Sequence, residues 1–297
     1  MTEEKDHESS ISGPICIQPP KGAPISKSMK GMKPIHQDLP QTPFFVCTNG
    51  PRHRGKTVLL YNLLEDKPGM YGSAFKKNNI YIYSPTADRD ETLKKLKLPT
   101  HAYKSSERVD LAWMVNEIRS KQKNFRAENN QTGVLLVLDD ITNIRSAWPP
   151  LEDLAYYGRH DHIHVIYVAH KMSSIPRGVR TQTQQWIIFE PHEQSEHQWI
   201  LEMFSRRDTW DIWRSALLHA WSEPFQFVFI DFECKEDDRV YRKGFQETLF
   251  SEEQITIMRS EKSLRYKNPD LEVDEVEEED ERPKKRTRKS KSSKRKQ

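Results

Sequence analysis

The chain has 297 residues, 35% of them hydrophobic and 31% charged, with a formal net charge of +3. That length suits one large α/β domain with polar ends. No apolar run approaches the roughly 18–20 residues of a membrane-spanning helix, so an integral membrane protein is not expected. The first ten residues, MTEEKDHESS, are charged and no apolar signal core follows, so secretion is not expected either. Cys16, Cys47 and Cys234 lack paired spacing, which excludes a disulfide scaffold or a CxxC zinc site and fits a reducing compartment.

Residues 1–40 are rich in Pro, Lys, Ser and Gly without sustained periodicity and read as a disordered arm. Phe44–Thr48 (FFVCT) is a short apolar strand, followed by a helix over Lys56–Leu64. Asn79–Tyr83 (NIYIY) alternates as a second strand. Leu111, Met114, Val115 and Ile118 recur at helical spacing within Val109–Phe125. Val134–Leu138 (VLLVL) and Val165–Ala169 (VIYVA) are continuous apolar runs, the pattern of strands buried on both faces. Trp186–Phe189 and Gln226–Ile230 supply two more strands, with helices over Gln194–Phe204 and Thr209–His219. Ser251 and Gln254 form a capping box that opens a last helix. The folded domain then spans residues 41–267. Strands alternating with helices predict an α/β fold, a mostly parallel sheet with helices on both faces.

The strongest motif is Gly50-Pro51-Arg52-His53-Arg54-Gly55-Lys56-Thr57, which matches GxxxxGK[ST] between a strand and a helix. Its glycines let the backbone curl so that successive N–H groups face phosphates, and the helix start adds positive potential. Lys56 can reach the β- and γ-phosphates of ATP, and the Thr57 hydroxyl can ligate Mg²⁺. Arg52, His53 and Arg54 read mainly as backbone spacers. The strand Val134–Leu138 ends in Asp139-Asp140. After a full phosphate loop, an apolar strand ending in a carboxylate is the second half of a P-loop NTPase. Asp139 would support Mg²⁺ through water, and Asp140 would orient and deprotonate the attacking water. Further on, the strand Val165–Ala169 ends in His170, and Ile175-Pro176 precedes Arg177 and Arg180. His170 is placed to sense the γ-phosphate. Arg159 or Arg180 could reach a neighbouring subunit's nucleotide as a finger.

With GPRHRGKT (Gly50–Thr57), VLLVLDD (Val134–Asp140), GRH (Gly158–His160) and VIYVAHKMSSIPRGVR (Val165–Arg180), the chain resembles the viral genome-packaging ATPases of the FtsK–HerA superfamily. These occur in poxviruses, other large nucleocytoplasmic DNA viruses, virophages and Polinton-like elements. The resemblance runs from about Phe44 to Phe189. It implies a RecA-like P-loop domain of the ASCE type with central strand order 5-1-4-3-2, and a homo-oligomeric ring, pentamer or hexamer, docked at a capsid or portal vertex. It implies a motor that hydrolyses ATP to push double-stranded DNA into a preformed capsid. Many relatives carry Glu where Asp140 stands, and often Gln where this chain has His170. The alternatives are another P-loop enzyme, such as a helicase or nucleotide kinase, or a non-hydrolysing DNA-binding or assembly protein switched by ATP.

Smaller features have blander readings. His160, His162 and His164 alternate, so on a strand they would share one face, as a metal site or a polar approach to the strand. Trp199, Trp210 and Trp213 fall at helical spacings with Leu and Ile and read as core or subunit interface. Residues 268–297 form an acidic-then-basic tail, Asp270–Glu281 followed by RPKKRTRKSKSSKRK. The basic block (residues 282–296) reads as a nuclear localisation signal for an import receptor, or as a neutraliser of DNA phosphates. Host nucleus and virion vertex are the expected locations.

Overall fold

The computed structural model describes residues 32–41, 43–127 and 133–258. Its strands are β1 (Phe45–Asn49), β2 (Ile80–Tyr83), β3 (Tyr103–Lys104), β4 (Val134–Asp139), β5 (Ile163–Ala169), β6 (Gln185–Phe189), β7 (Phe227–Asp231), β8 (Tyr241–Lys243) and β9 (Glu247–Thr248). Its helices are α1 (Lys56–Leu64), α2 (Tyr71–Ala74), α3 (Glu91–Lys94), α4 (Leu111–Ala127), α5 (Trp148–Tyr157), α6 (Arg177–Gln182), α7 (Gln194–Phe204) and α8 (Trp210–Ala220).

Among the described residues, all strands join one sheet in the order β3-β2-β4-β5-β1-β6-β7-β8-β9. Its centre, β6-β1-β5-β4-β2, is the order 5-1-4-3-2 that the resemblance implies. Those strands and β3 are parallel, whereas β7, β8 and β9 are antiparallel. The change of direction has a topological cause. One crossover helix returns the chain to the amino edge of a parallel sheet. Two helices, α7 and α8, separate β6 from β7, so the chain comes back at the carboxyl edge instead. Phe227 at the start of β7 therefore pairs with Phe189 at the end of β6. The connection Trp221–Gln226 is thereby delivered to the same edge as the phosphate loop.

Side chains alternate across the strands, and both faces are buried. Val46, Val137, Ile166, Val168, Ile187 and Phe229 share a core with Leu60, Leu63 and Leu64 of α1 and with Tyr71 of α2. The opposite face carries Cys47, Leu136, Leu138, Tyr167 and Trp186, all buried. Trp186 meets Phe204 of α7 edge-on, and Phe204 stacks towards Trp213 of α8. Burial on both faces is why β4 and β5 are uninterrupted apolar runs.

Two expectations are corrected. The folded region begins before residue 41, because Met32, Ile35 and Leu39 are buried in the α1-side core. That segment is held by backbone and charge rather than by periodicity. Ile35 bridges Gly69, and Asp38 meets Arg239 and the buried Arg242. Arg242 also donates to the Phe245 carbonyl (2.8 Å) and stacks on Phe229. Second, the three histidines do not share a strand face. His160 lies in a 3₁₀ turn, His162 closes it at φ 53°, and β5 starts only at Ile163. His164 alone is on the strand, fully buried edge-on to the rings of Phe44 and Phe75, which pushes its pKa down to about 3. Helices α5 and α6 carry no strong sequence signal, because α5 opens on Trp-Pro-Pro and α6 is six residues long.

The capping box is present: the Ser251 amide donates to Gln254 Oε1 (2.9 Å) and the Gln254 amide to Ser251 Oγ (3.3 Å). The described residues up to Thr256 form one compact unit. From Ile257 a separate unit begins, of which residues 257 and 258 are described. The arm over residues 1–31 and the acidic and basic blocks of the tail lie outside the described residues.

Candidate active site

The site lies at the carboxyl edge of β1, β5 and β4. Register makes these strand ends level: Asn49 pairs with Ala169, and Asp139 with Val168. Adjacent strands are about 4.8 Å apart, so β5 separates the phosphate loop from the acidic pair by about 10 Å, room for a phosphate group between them. Open parallel sheets bind ligands at this edge.

Two glycines allow the loop its path. A Cβ on Gly50 would lie 2.6 Å from Cβ of Phe189, closer than any side chain tolerates. Gly55, the N-cap of α1, adopts φ 94°, a left-handed conformation that glycine takes without cost. Lys56 is buried, and its ammonium donates to the carbonyls of Gly50 (2.5 Å) and Pro51 (2.7 Å). Burial pulls its pKa below the ordinary value, opposed by the charges of Asp139 and Asp140. Thr57 follows, half-buried in the first turn of α1. Arg52 and His53 are exposed. Arg54 is more than a spacer: it pairs with Glu190 (2.8 Å) and donates to His192 Nδ1 (3.2 Å), tethering the loop to the segment after β6.

Asp139 ends β4. Burial, and then the like charge of Asp140, push its carboxyl up to about 6, with Lys56 opposing. Asp140 turns out of the strand at φ 54°, a conformation Asp tolerates better than most residues. His170 Nε2 is 2.9 Å from Asp140 Oδ1, and His170 Nδ1 is 3.4 Å from Lys56 Nζ. An ammonium can only donate, so Nδ1 accepts and Nε2 carries the proton given to Asp140. The three side chains thus form a line, Lys56 to His170 to Asp140.

The arginines stand elsewhere. Arg159 precedes β5 and is exposed at the amino edge of the sheet, beyond the seven-residue length of that strand. That is roughly 20 Å from the phosphate loop of its own chain. Arg180 lies on α6 with its guanidinium 4.6 Å from the centre of the Trp199 ring. Arg177 is exposed one turn earlier.

One residue with no sequence signal supports the site. Glu196, near the start of α7, reads as one more polar residue of PHEQSEHQ. Yet it is buried and accepts from the Met172 amide (2.6 Å) and the Ser173 hydroxyl (2.5 Å). It holds the turn that follows His170. Glu196→Ala leaves two donors without their acceptor, and a stability loss of about 1–3 kcal/mol is expected. Thermal unfolding and hydrogen exchange at the Met172 amide check this; an unchanged melting temperature would show that the tether carries no weight.

Among known proteins, the family model for the poxvirus A32 protein matches residues 33–215. Comparison with curated proteins finds no match. Similar solved structures include the genome packaging NTPase B204 from Sulfolobus turreted icosahedral virus 2 in complex with AMP. It shares 14% identity over 68% of this chain and 98% of that chain, with a TM-score of 0.46. B204, the DNA-packaging ATPase from Sulfolobus turreted icosahedral virus, gives 14% identity over 68% and 97%, with a TM-score of 0.47. EssC (ATPases 2 and 3) from Geobacillus thermodenitrificans gives 13% over 88% of this chain and 53% of that chain, with a TM-score of 0.46. The family match covers more than half of this sequence, from the segment before β1 into α8 and including every element of the site. The chain therefore belongs to the poxvirus A32 protein family.

Proposed function

We propose that this chain is a magnesium-dependent ATP hydrolase that drives viral double-stranded DNA into a preformed capsid. One observation carries the reading: in a member of this family, a complete phosphate loop, two carboxylates and a histidine meet at one sheet edge. The loop amides and Lys56 bind the phosphates. Asp140 orients the attacking water and accepts its proton. His170 donates to Asp140 and accepts from Lys56, so an ammonium drawn towards a γ-phosphate alters the hydrogen bond at Asp140. That linkage is the physical content of sensing.

The donor set suits magnesium. Thr57 and Asp139 offer hard oxygens, and the crowded carboxylates that raise Asp139 to about 6 favour a nearby cation. When bound, the ion neutralises charge on the β- and γ-phosphate oxygens. Arg159, at the far edge from its own loop, can serve only a neighbouring subunit's nucleotide. Arg180 is the second finger candidate. Both roles require the homo-oligomeric ring, a pentamer or hexamer, at a capsid or portal vertex. Import into the host nucleus would rest on residues 282–296.

The test is phosphate release measured against duplex DNA concentration, with assembly state determined in the same sample. Release is expected to rise several-fold with DNA in the assembled fraction. A rate indifferent to DNA in an assembled sample would remove the motor. Phosphoryl transfer to a nucleotide acceptor without DNA would identify a kinase, and unwinding of a forked duplex a helicase.

A further inference from the structure

A cavity of about 400 Å³ opens beside the phosphate loop, within the range of small-molecule sites. Gly55 of the loop, Val58 and Leu59 of α1, Pro224, Phe225 and Phe245 line it. Among the described residues no charged side chain lines it; the side-chain hydrogen-bonding groups on its wall are the amides of Asn62 and Gln226. Asn62 Nδ2 donates to the Val58 carbonyl (2.9 Å), which leaves its oxygen as an acceptor.

Phe225 is the unusual residue. The residue is 65% exposed, although it flanks an apolar cavity. Its backbone adopts φ 66°, a conformation that bulky side chains rarely take. Strain of that kind concentrates where a ligand is gripped. The ring lies against the phosphate loop: a Cβ added to Gly55 would come within 3.2 Å of Phe225 Cδ1. The antiparallel return of β7 is what delivers this ring to the carboxyl edge.

We infer that this cavity is the nucleobase site, with the planar base stacked on Phe225 and its edge met by Asn62 and Gln226. The inference rests on the reading of Gly50–Thr57 as a triphosphate site. Three features select the occupant. The cavity shares Gly55 with the loop, so one ligand can fill both. Its wall is uncharged and suits a neutral aromatic ring rather than a further phosphate. The phenyl ring leaves most of its surface free for stacking, which tolerates any base because every base has a π-face.

The experiment compares equilibrium binding of magnesium–ATP with that of magnesium–tripolyphosphate, which has the phosphates and no base, on the full chain. The wild-type protein should bind ATP at least about tenfold more tightly. Phe225→Ala should lose about that factor for ATP and keep its tripolyphosphate affinity. Phe225→Tyr, which retains a stacking ring, should restore ATP binding. Equal wild-type affinity for the two ligands would overturn the base site and leave the phosphate loop standing. Parallel loss of both ligands in Phe225→Ala would overturn it too, since the ring would then only brace the loop. If the wild-type chain bound neither, the triphosphate reading would fail first, and the base site with it.

Discussion

Lys56→Ala is expected to lower ATP turnover by about a thousandfold or more while the fold persists. The size follows from the role proposed for Lys56, a loop cation meeting developing charge on the transferred phosphoryl group; single preorganised contacts of this kind are worth about 10²–10³ in rate, and cationic ones more. Persistence of the fold follows from what the ammonium touches. Its partners within the chain are the carbonyls of Gly50 and Pro51 and the ring of His170, all at the sheet edge where water can replace it. A loss of only about 1 kcal/mol in stability is expected. The variant also removes the positive charge that opposes the rise of Asp139, so that carboxyl should titrate above its present value of about 6. Phosphate release and thermal unfolding on one preparation check the prediction. Full turnover in a folded variant would overturn the catalytic assignment.

The second large effect belongs to Asp140. Asp140→Asn removes the proposed proton acceptor and should lower turnover by about 10²–10⁴ while nucleotide affinity holds. It also has a signature in pH that a merely structural role would not produce. The ionised form of Asp139 is the one that can support a cation, and its carboxyl is held at about 6 by burial and by the negative charge of Asp140. Below that pH the carboxyl is neutral, so magnesium–nucleotide binding should weaken by about tenfold per unit as pH falls further. Removing the like charge of Asp140 favours the Asp139 anion and lowers its pKa. The acid limb of the binding profile should therefore move to lower pH in Asp140→Asn. A limb that stays in place would show that the two carboxylates are not coupled as the geometry indicates. Near-normal turnover would transfer the water-activating role elsewhere.

The parts of this molecule legible in the sequence are those whose signals are local. A strand buried on both faces must be continuously apolar, so β4 and β5 declare themselves, with ends correct to a residue or two. A curled phosphate loop must place glycines and a lysine at set intervals, so Gly50–Thr57 is readable, as is a carboxylate at the end of β4. The Ser251–Gln254 box is local as well, being made of side chains and amides three residues apart. Turn conformation is less visible. The alternating histidines suggest a strand face, yet the left-handed backbone at His162 ends a 3₁₀ turn just before the strand begins.

What remained for tertiary structure was everything that depends on partners distant in sequence. Glu196 looks solvated until Met172 and Ser173 are folded onto it. Met32–Leu39 looks like part of a polar arm until Gly69, Arg239 and Arg242 supply its anchors. Phe225, just ahead of the β7 run, carries no signal of its own until two successive helices reverse that strand and set the ring beside Gly55. Local pattern alone gives the central strands, the phosphate loop and the acidic pair, because periodicity and spacing record which residues must be buried or curled. That Lys56, His170 and Asp140 stand in line, and that Arg159 lies at the opposite edge, emerges with the fold, because distances between strands are set by sheet order and register, which no local run of residues encodes.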